Sequence, residues 1–176
     1  MTELESISMR IASLMLAAFA LTAAQLTVRA NLHPPSERKP AADFALHDAD
    51  GKTATLGQYR GKILLLNFWA TGCGPCGKEI PWLVEFQKKF GADGLAVVGI
   101  SLDEDGWKVL KPFLARHPIP YRIILGDAAT AKRFGIHIMP DSFLIDRQGR
   151  VAAAYRSGLI DRTNMETNLS ALISEH

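Results

Sequence analysis

Cysteine is scarce in this sequence: two residues among 176, Cys73 and Cys76. That scarcity excludes a small scaffold stapled by several disulfides, and no second Cys-x-x-Cys stands ready to complete a zinc site. Histidine does not fill the gap, since His33, His47, His117, His137 and His176 are scattered singly. Strong charge of one sign is also missing. Twenty Lys and Arg against 18 Asp and Glu leave a formal charge of +2, with the basic residues dispersed, which argues against a nucleic-acid partner. No internal repeat or low-complexity tract is present. What remains is 48% hydrophobic and 22% charged, a composition sized for one globular domain with a sizeable core.

One stretch lacks charge altogether. From Ile11 to Val28 the chain reads IASLMLAAFALTAAQLTV, bounded by Arg10 and Arg29. Residues 1–30 therefore read as a signal peptide or a single membrane anchor. Thr22 and Ala24, or Val28 and Ala30, offer small residues to a signal peptidase, while the length of the run suits an uncleaved anchor equally well. Glu3 and Glu5 are unusual ahead of such a run, and Met9 followed by Arg10 makes a better start. Either form predicts work in the periplasm or on the extracytoplasmic face of a membrane, where disulfides are permitted. Residues 31–42, NLHPPSERKPAA, are polar with three prolines and read as an extended linker. The folded domain is predicted over residues 43–176.

Within it, strands and helices alternate. FALHDADGKTATL predicts a hairpin around Asp50-Gly51. ILLLNFW, from Ile63 to Trp69, is a nearly unbroken apolar run and predicts a strand buried on both faces. Ile80, Leu83, Val84 and Phe90 then recur at helical spacing. A second buried strand over Leu95–Leu102, a helix over WKVLKPFLARH, a strand YRIIL and a short helix ended by Gly135 follow. SFLID and VAAAYRS form a hairpin turning at Gln148-Gly149, and a last helix runs from Asp161 to Ser174. The order implies an α/β fold with a central mixed sheet covered on both faces.

Cys73 and Cys76 fall where the first buried strand gives way to a helix. There, unpaired N–H groups and the helix dipole stabilise a thiolate, lowering the first cysteine from its free value of about 8.5. Cys76 sits one turn inward, better shielded. Gly74 and Pro75 suit the turn, because proline tolerates a first helical turn. A structural staple, a metal site and an exchanging dithiol all remain readings of the pair. The staple would constrain very little chain, and the metal site lacks ligands, so dithiol chemistry leads.

FWATGCGPCGKEIP together with the downstream GIHIMPDSFLIDRQGRV resembles the thioredoxin superfamily, and within it the exported thiol-disulfide oxidoreductases of the TlpA/ResA/CcmG type, with their redoxin (AhpC/TSA-like) domain. The likeness runs from about Ala42 to the C-terminus. It implies a thioredoxin fold with an N-terminal β-hairpin, Cys73 as attacking and Cys76 as resolving cysteine, and Pro140 as the cis-proline facing them. Glu79, one helical turn beyond Cys76, takes the place of the family's acidic residue that handles a proton. The resemblance implies no cofactor and no metal. Its partners are protein disulfides, apocytochrome c being the substrate class it points to, and an integral-membrane thiol donor.

Departures matter as much. Asn67 stands where thioredoxin has a titrating aspartate, Gly72 where the family usually has Trp, and Asp141 where it usually has Thr. A carboxylate at Asp141 turned toward Cys73 would raise its pKa. Asp103, Glu104 and Asp105 read as helix-capping acids, and Trp82 and Trp107 as packing residues. A peroxiredoxin-like peroxidase is the enzymatic alternative, but Ala70 rather than threonine lies three residues before Cys73. The non-enzymatic alternative is a copper-binding chaperone module using Cys73, Cys76 and His137.

Overall fold

The computed structural model describes residues 32–157 and 161–175. The predicted signal or anchor over residues 1–30 lies outside them. Among the described residues no helix is long and apolar enough to cross a membrane.

The predicted hairpin forms from β1 (Ala45–Asp48) and β2 (Thr53–Thr55). A 3-10 turn over Leu56–Tyr59 leads into β3 (Ile63–Trp69), buried along its whole length as its apolar run requires. Then come α1 (Gly74–Phe90), β4 (Leu95–Ser101), α2 (Trp107–Arg116), β5 (Arg122–Leu125), α3 (Ala128–Phe134), β6 (Asp141–Ile145), β7 (Val151–Tyr155) and α4 (Arg162–Ser174). Gly135 ends α3 in the left-handed region, φ 63°, returning its N–H to Ala131 and Lys132.

The seven strands form one sheet in the order β2-β1-β5-β4-β3-β6-β7. β3, β4 and β5 run parallel, while β6 joins β3 antiparallel and the two hairpins flank the sheet. Alternation along β3 splits the core. Ile63, Leu65 and Trp69 join the cluster containing Leu83, Phe86, Leu110, Met165 and Leu169, contributed by α1, α2 and α4. Leu64, Leu66 and Phe68 join Phe134 of α3 and Phe44, Leu46 and Leu56 from the N-terminal part on the opposite face. Helices thus cover both faces of a mixed sheet.

Residues 32–42 correct the linker reading. The folded unit begins at Leu32 rather than Asp43. His33 N–H donates to Ala152 O (2.7 Å), Ala41 N–H to Gly149 O and Val151 N–H to Lys39 O, and Pro40 bridges Arg150. Arg38 is buried, its guanidinium donating to Asp146 (3.3 Å) and in bidentate fashion to Glu175 (2.7 and 2.8 Å). A polar, proline-rich stretch reads as a spacer until a charged side chain in it meets a buried carboxylate more than a hundred residues away.

Candidate active site

Cys73 closes the loop after β3 and caps α1. Its backbone is extended (φ −87°, ψ 99°), and its sulfur accepts the N–H of Cys76 at 3.2 Å. The two residues form a disulfide with Cα atoms 5.3 Å apart. Their environments differ: Cys73 is half-exposed, whereas Cys76 is buried at 1% exposure. A helix N-terminus offers its N–H dipoles to the first sulfur, the second is sealed inside, and only Cys73 can be reached by another protein.

Gly72 leaves open space; nothing lies within 4 Å of where a Cβ would stand. The loop is instead held through its neighbour. Asp103 accepts the Thr71 N–H with both carboxylate oxygens (3.1 Å each) and the Thr71 hydroxyl (2.6 Å), while Ser101 Oγ donates to it at 2.7 Å. The acidic run after β4 therefore does not cap α2 as expected for Asp103. The N-cap of α2 is Gly106, without a side-chain cap bond. The reason is proximity: Trp69 and Ser101 are register partners at the parallel β3/β4 ends, so the two following loops emerge side by side.

Pro140 precedes β6, and the Met139–Pro140 bond is cis. Antiparallel pairing sets Asp141 beside Phe68, one residue short of the end of β3 from which the cysteine loop springs. Met139 and Cys73 pack against the same apolar cluster. Asn67 donates to Ser142 Oγ at 3.0 Å, tying the buried centre of β3 to β6 with a side chain that carries no charge.

Two carboxylates are buried here. Glu79, on α1, is 6% exposed, and its Oε2 has no hydrogen-bond partner among the described residues. Burial first, and the charge of Asp141 second, push its carboxyl up to about 7. Asp141 is 3% exposed and fully engaged: Arg156 donates to Oδ2 at 2.7 Å and the Ser157 N–H to Oδ1 at 2.8 Å. It is thus held by β7-side partners instead of standing as a free charge turned on Cys73. Tyr121 completes the buried set. Its hydroxyl lacks a partner among the described residues, and burial, then the charge of Glu79, raise its phenol above the ordinary value.

Of the residues the sequence nominated, Cys73 caps α1, Cys76 and Glu79 lie in its first two turns, and Pro140 immediately precedes the adjoining strand β6. His137 is exposed and lines a depression of about 500 Å³ with Gly135, Ile138, Asp141, Arg156 and Ser157. Among the described residues no group of three or more His, Cys, Asp and Glu is gathered around a metal-sized space. Sequence reading missed Asp103, Tyr121 and Arg156. Only Asp103 left a signal, by following a parallel strand at the sheet end where ligand sites of open α/β sheets gather.

A strand-to-helix Cys-x-x-Cys beside a cis-proline strand, on a mixed sheet in this order, defines a thioredoxin-fold protein. The chain belongs to the AhpC/TSA family, whose pattern matches residues 38–154. It is similar to the thiol-disulfide oxidoreductase ResA of Bacillus thuringiensis subsp. konkukian, 33% identical over 114 residues, or 64% of this chain and 65% of that protein. The thioredoxin-like protein YneN of Bacillus subtilis is 30% identical over 135 residues, 76% of this chain and 78% of the relative. A crystal structure of a candidate thiol:disulfide interchange protein DsbE from Chlorobium tepidum superposes with a TM-score of 0.70 at 33% identity, covering 78% of this chain and 97% of that one. The chain thus spans just under two-thirds of the ResA length.

Proposed function

We propose that this protein is a thiol-disulfide oxidoreductase that reduces disulfides of exported proteins through Cys73 and Cys76. The observation that carries the reading is the asymmetry of the pair: a half-exposed sulfur at a helix N-terminus, backed by a fully buried one and a buried carboxyl with a pKa near 7. The relatives named as thiol-disulfide oxidoreductases support it.

The Cys73 thiolate attacks one sulfur of a partner disulfide. A Cys73–partner bond forms, the partner's S–S bond breaks, and the departing thiolate leaves with the electron pair. Glu79 then takes the proton of the Cys76 thiol, and the resulting thiolate attacks Cys73 Sγ. The Cys73–Cys76 disulfide forms, the partner leaves reduced by two electrons, and the proton returns to its thiolate. Pro140, immediately before β6 and beside the cysteine loop, offers a backbone edge to an extended partner segment.

The Cys-Gly-Pro-Cys sequence resembles that of thioredoxin, a reductant at about −270 mV, so electron flow toward the substrate is the direction assigned. The uncharged run Ile11–Val28 supports action in the periplasm or on the outer face of the membrane, with electrons supplied by an integral-membrane thiol donor and apocytochrome c as substrate class. Thr71 gives its hydroxyl to Asp103 and Ala70 has none, so the threonine a peroxidase needs is missing.

The test is reduction of insulin disulfides by the dithiothreitol-reduced protein, with Cu(I) titration in parallel. Turnover in the wild type and none in Cys73→Ser is expected. Tight stoichiometric Cu(I) binding without insulin reduction would overturn the proposal in favour of a copper chaperone.

A further inference from the structure

Among the described residues one large apolar side chain is strongly exposed: Ile138, at 69%, two residues before the cis-proline. It lines the depression of about 500 Å³ that Gly135, His137, Asp141, Arg156 and Ser157 complete. The strand register fixes where this depression stands. Asp141 pairs with Phe68 of β3 and Ser142 with Tyr155 of β7, so Arg156 falls beside Asp141 on the α3 face of the sheet, at the end from which the cysteine loop leaves β3. Ser157 Oγ donates to the Met139 carbonyl at 3.2 Å, tying the β7 side of the depression to the peptide before Pro140.

Arg156 is held on one side only. Its Nη1 donates to Asp141 Oδ2 at 2.7 Å and to the Gly135 carbonyl at 3.2 Å, and its guanidinium carbon lies 5.0 Å from the centre of the Phe143 ring. Nε and Nη2 make no hydrogen bond among the described residues, and the side chain is 44% exposed. That edge of a guanidinium, two N–H groups in one plane, can take a carboxylate in bidentate fashion.

Asp141 does not use up the arginine. Arg38 shows the completed arrangement in the same protein: its guanidinium donates to Asp146 at 3.3 Å and to both oxygens of Glu175 at 2.7 and 2.8 Å, one cation between two carboxylates. Arg156 has the first carboxylate, and an open edge where Arg38 has the second. Asp141 is 3% exposed and gives its other oxygen to the Ser157 N–H at 2.8 Å, so it anchors the guanidinium from the buried side.

We propose that this depression is a substrate subsite that takes a carboxylate side chain from the partner segment bearing the target disulfide: the free edge of Arg156 binds the acid, and Ile138 packs against its aliphatic stem. The inference rests on the dithiol reading above and gives it a substrate class, disulfides with Asp or Glu nearby in the chain. β7 lies two strands from β3, about 10 Å at the usual strand spacing, which an extended segment covers in about three residues.

The experiment measures second-order rate constants for oxidation of the dithiothreitol-reduced full chain by symmetric disulfides of short peptides. Each peptide has one cysteine and carries Glu or Gln about three residues from it, on either side in turn. The reduced protein remaining after acid quench and alkylation is read by mass spectrometry. The wild type should favour Glu over Gln by about five- to tenfold in one of the two placements. Each variant is scored by its own Glu-to-Gln ratio, so a general loss of activity or stability cancels. Arg156→Met should bring the ratio to about 1. Arg156→Lys, which keeps a cation beside Asp141 without the planar edge, should lower it to about 2 and decides the matter should Arg156→Met not fold. A wild-type ratio near 1 in both placements, or a ratio that neither substitution lowers, overturns the subsite while the dithiol mechanism stands. Failure of every peptide and of insulin to oxidise the wild type overturns the oxidoreductase reading itself.

Discussion

Glu79 is where burial and charge conflict most strongly beside the dithiol. Its folded-state value near 7 exceeds the ordinary 4.5, so stability is full below about 4.5, falls as pH rises from there to about 7 and levels off above it. Glu79→Gln is therefore expected to stabilise the oxidised protein at pH 8, on the order of 2–3 kcal/mol, and to change little at pH 4. Urea unfolding at the two pH values checks this; an equal difference at both would contradict it. Asp103 makes a second residue-level case. Losing its carboxylate frees Thr71 and with it the loop that aims Cys73, so Asp103→Ala should slow thiol-disulfide exchange about 10-fold to 100-fold with secondary structure intact, measured by stopped-flow and circular dichroism. Asp103→Asn, which keeps one acceptor, should lose less. Gly72→Trp meets open space, and its Tm should stay near that of the wild type.

At the scale of elements, the alternation of apolar runs carried most of the fold. Ile63–Trp69 is buried along its full length because its neighbours on both sides are strands and both faces are covered, and such a strand announces itself by the continuity of its apolar residues. The turn residues Gly135 and Gly149 carried the helix end and the hairpin in the same direct way. Contacts between elements were not legible. Arg38 looks like one more surface charge in a proline-rich stretch until Asp146 and Glu175 are brought to it; Asp103 looks like a cap until β3 and β4 align their ends. Each depends on a register that no local pattern encodes. For Asp146 burial works upward, but the Arg150 backbone N–H, the Arg150 guanidinium and Arg38 together hold its carboxyl below the usual range. Arg38→Ala should therefore destabilise the fold by about 2–3 kcal/mol, short of the roughly 3–5 typical of a broken buried pair because Arg150 remains on Asp146. The loss should shrink as pH falls below about 4, where Asp146 protonates on unfolding. An Arg38→Ala unfolding midpoint equal to that of the wild type at pH 7 would restore the linker reading of residues 31–42.

Across the whole molecule, the site is assembled from chain segments far apart in sequence. The loop after β3 carries the cysteines, the loop after β4 carries Asp103, Pro140 precedes β6 and Asp141 begins it, and Arg156 follows β7. The Cys-x-x-Cys and the Met-Pro step were visible in the sequence because each carries its chemistry locally. Tyr121 and Arg156 were not, because the burial of the one and the contacts of the other with Gly135 and Asp141 exist only once distant segments meet. The disulfide itself spans just two intervening residues, so it contributes little to the stability of the domain: reduction should cost about 2 kcal/mol or less in denaturant unfolding. A bond that holds so little together is available for exchange. The central claim is that Cys73 attacks and Cys76 resolves. Its most direct test is trapping of mixed disulfides by Cys76→Ser and by Cys73→Ser chains in the native host. Partner proteins held covalently on Cys73 of the Cys76→Ser chain, released by dithiothreitol and missing from the Cys73→Ser chain, are the predicted result; no adduct on either chain, or equal adducts on both, would contradict the account.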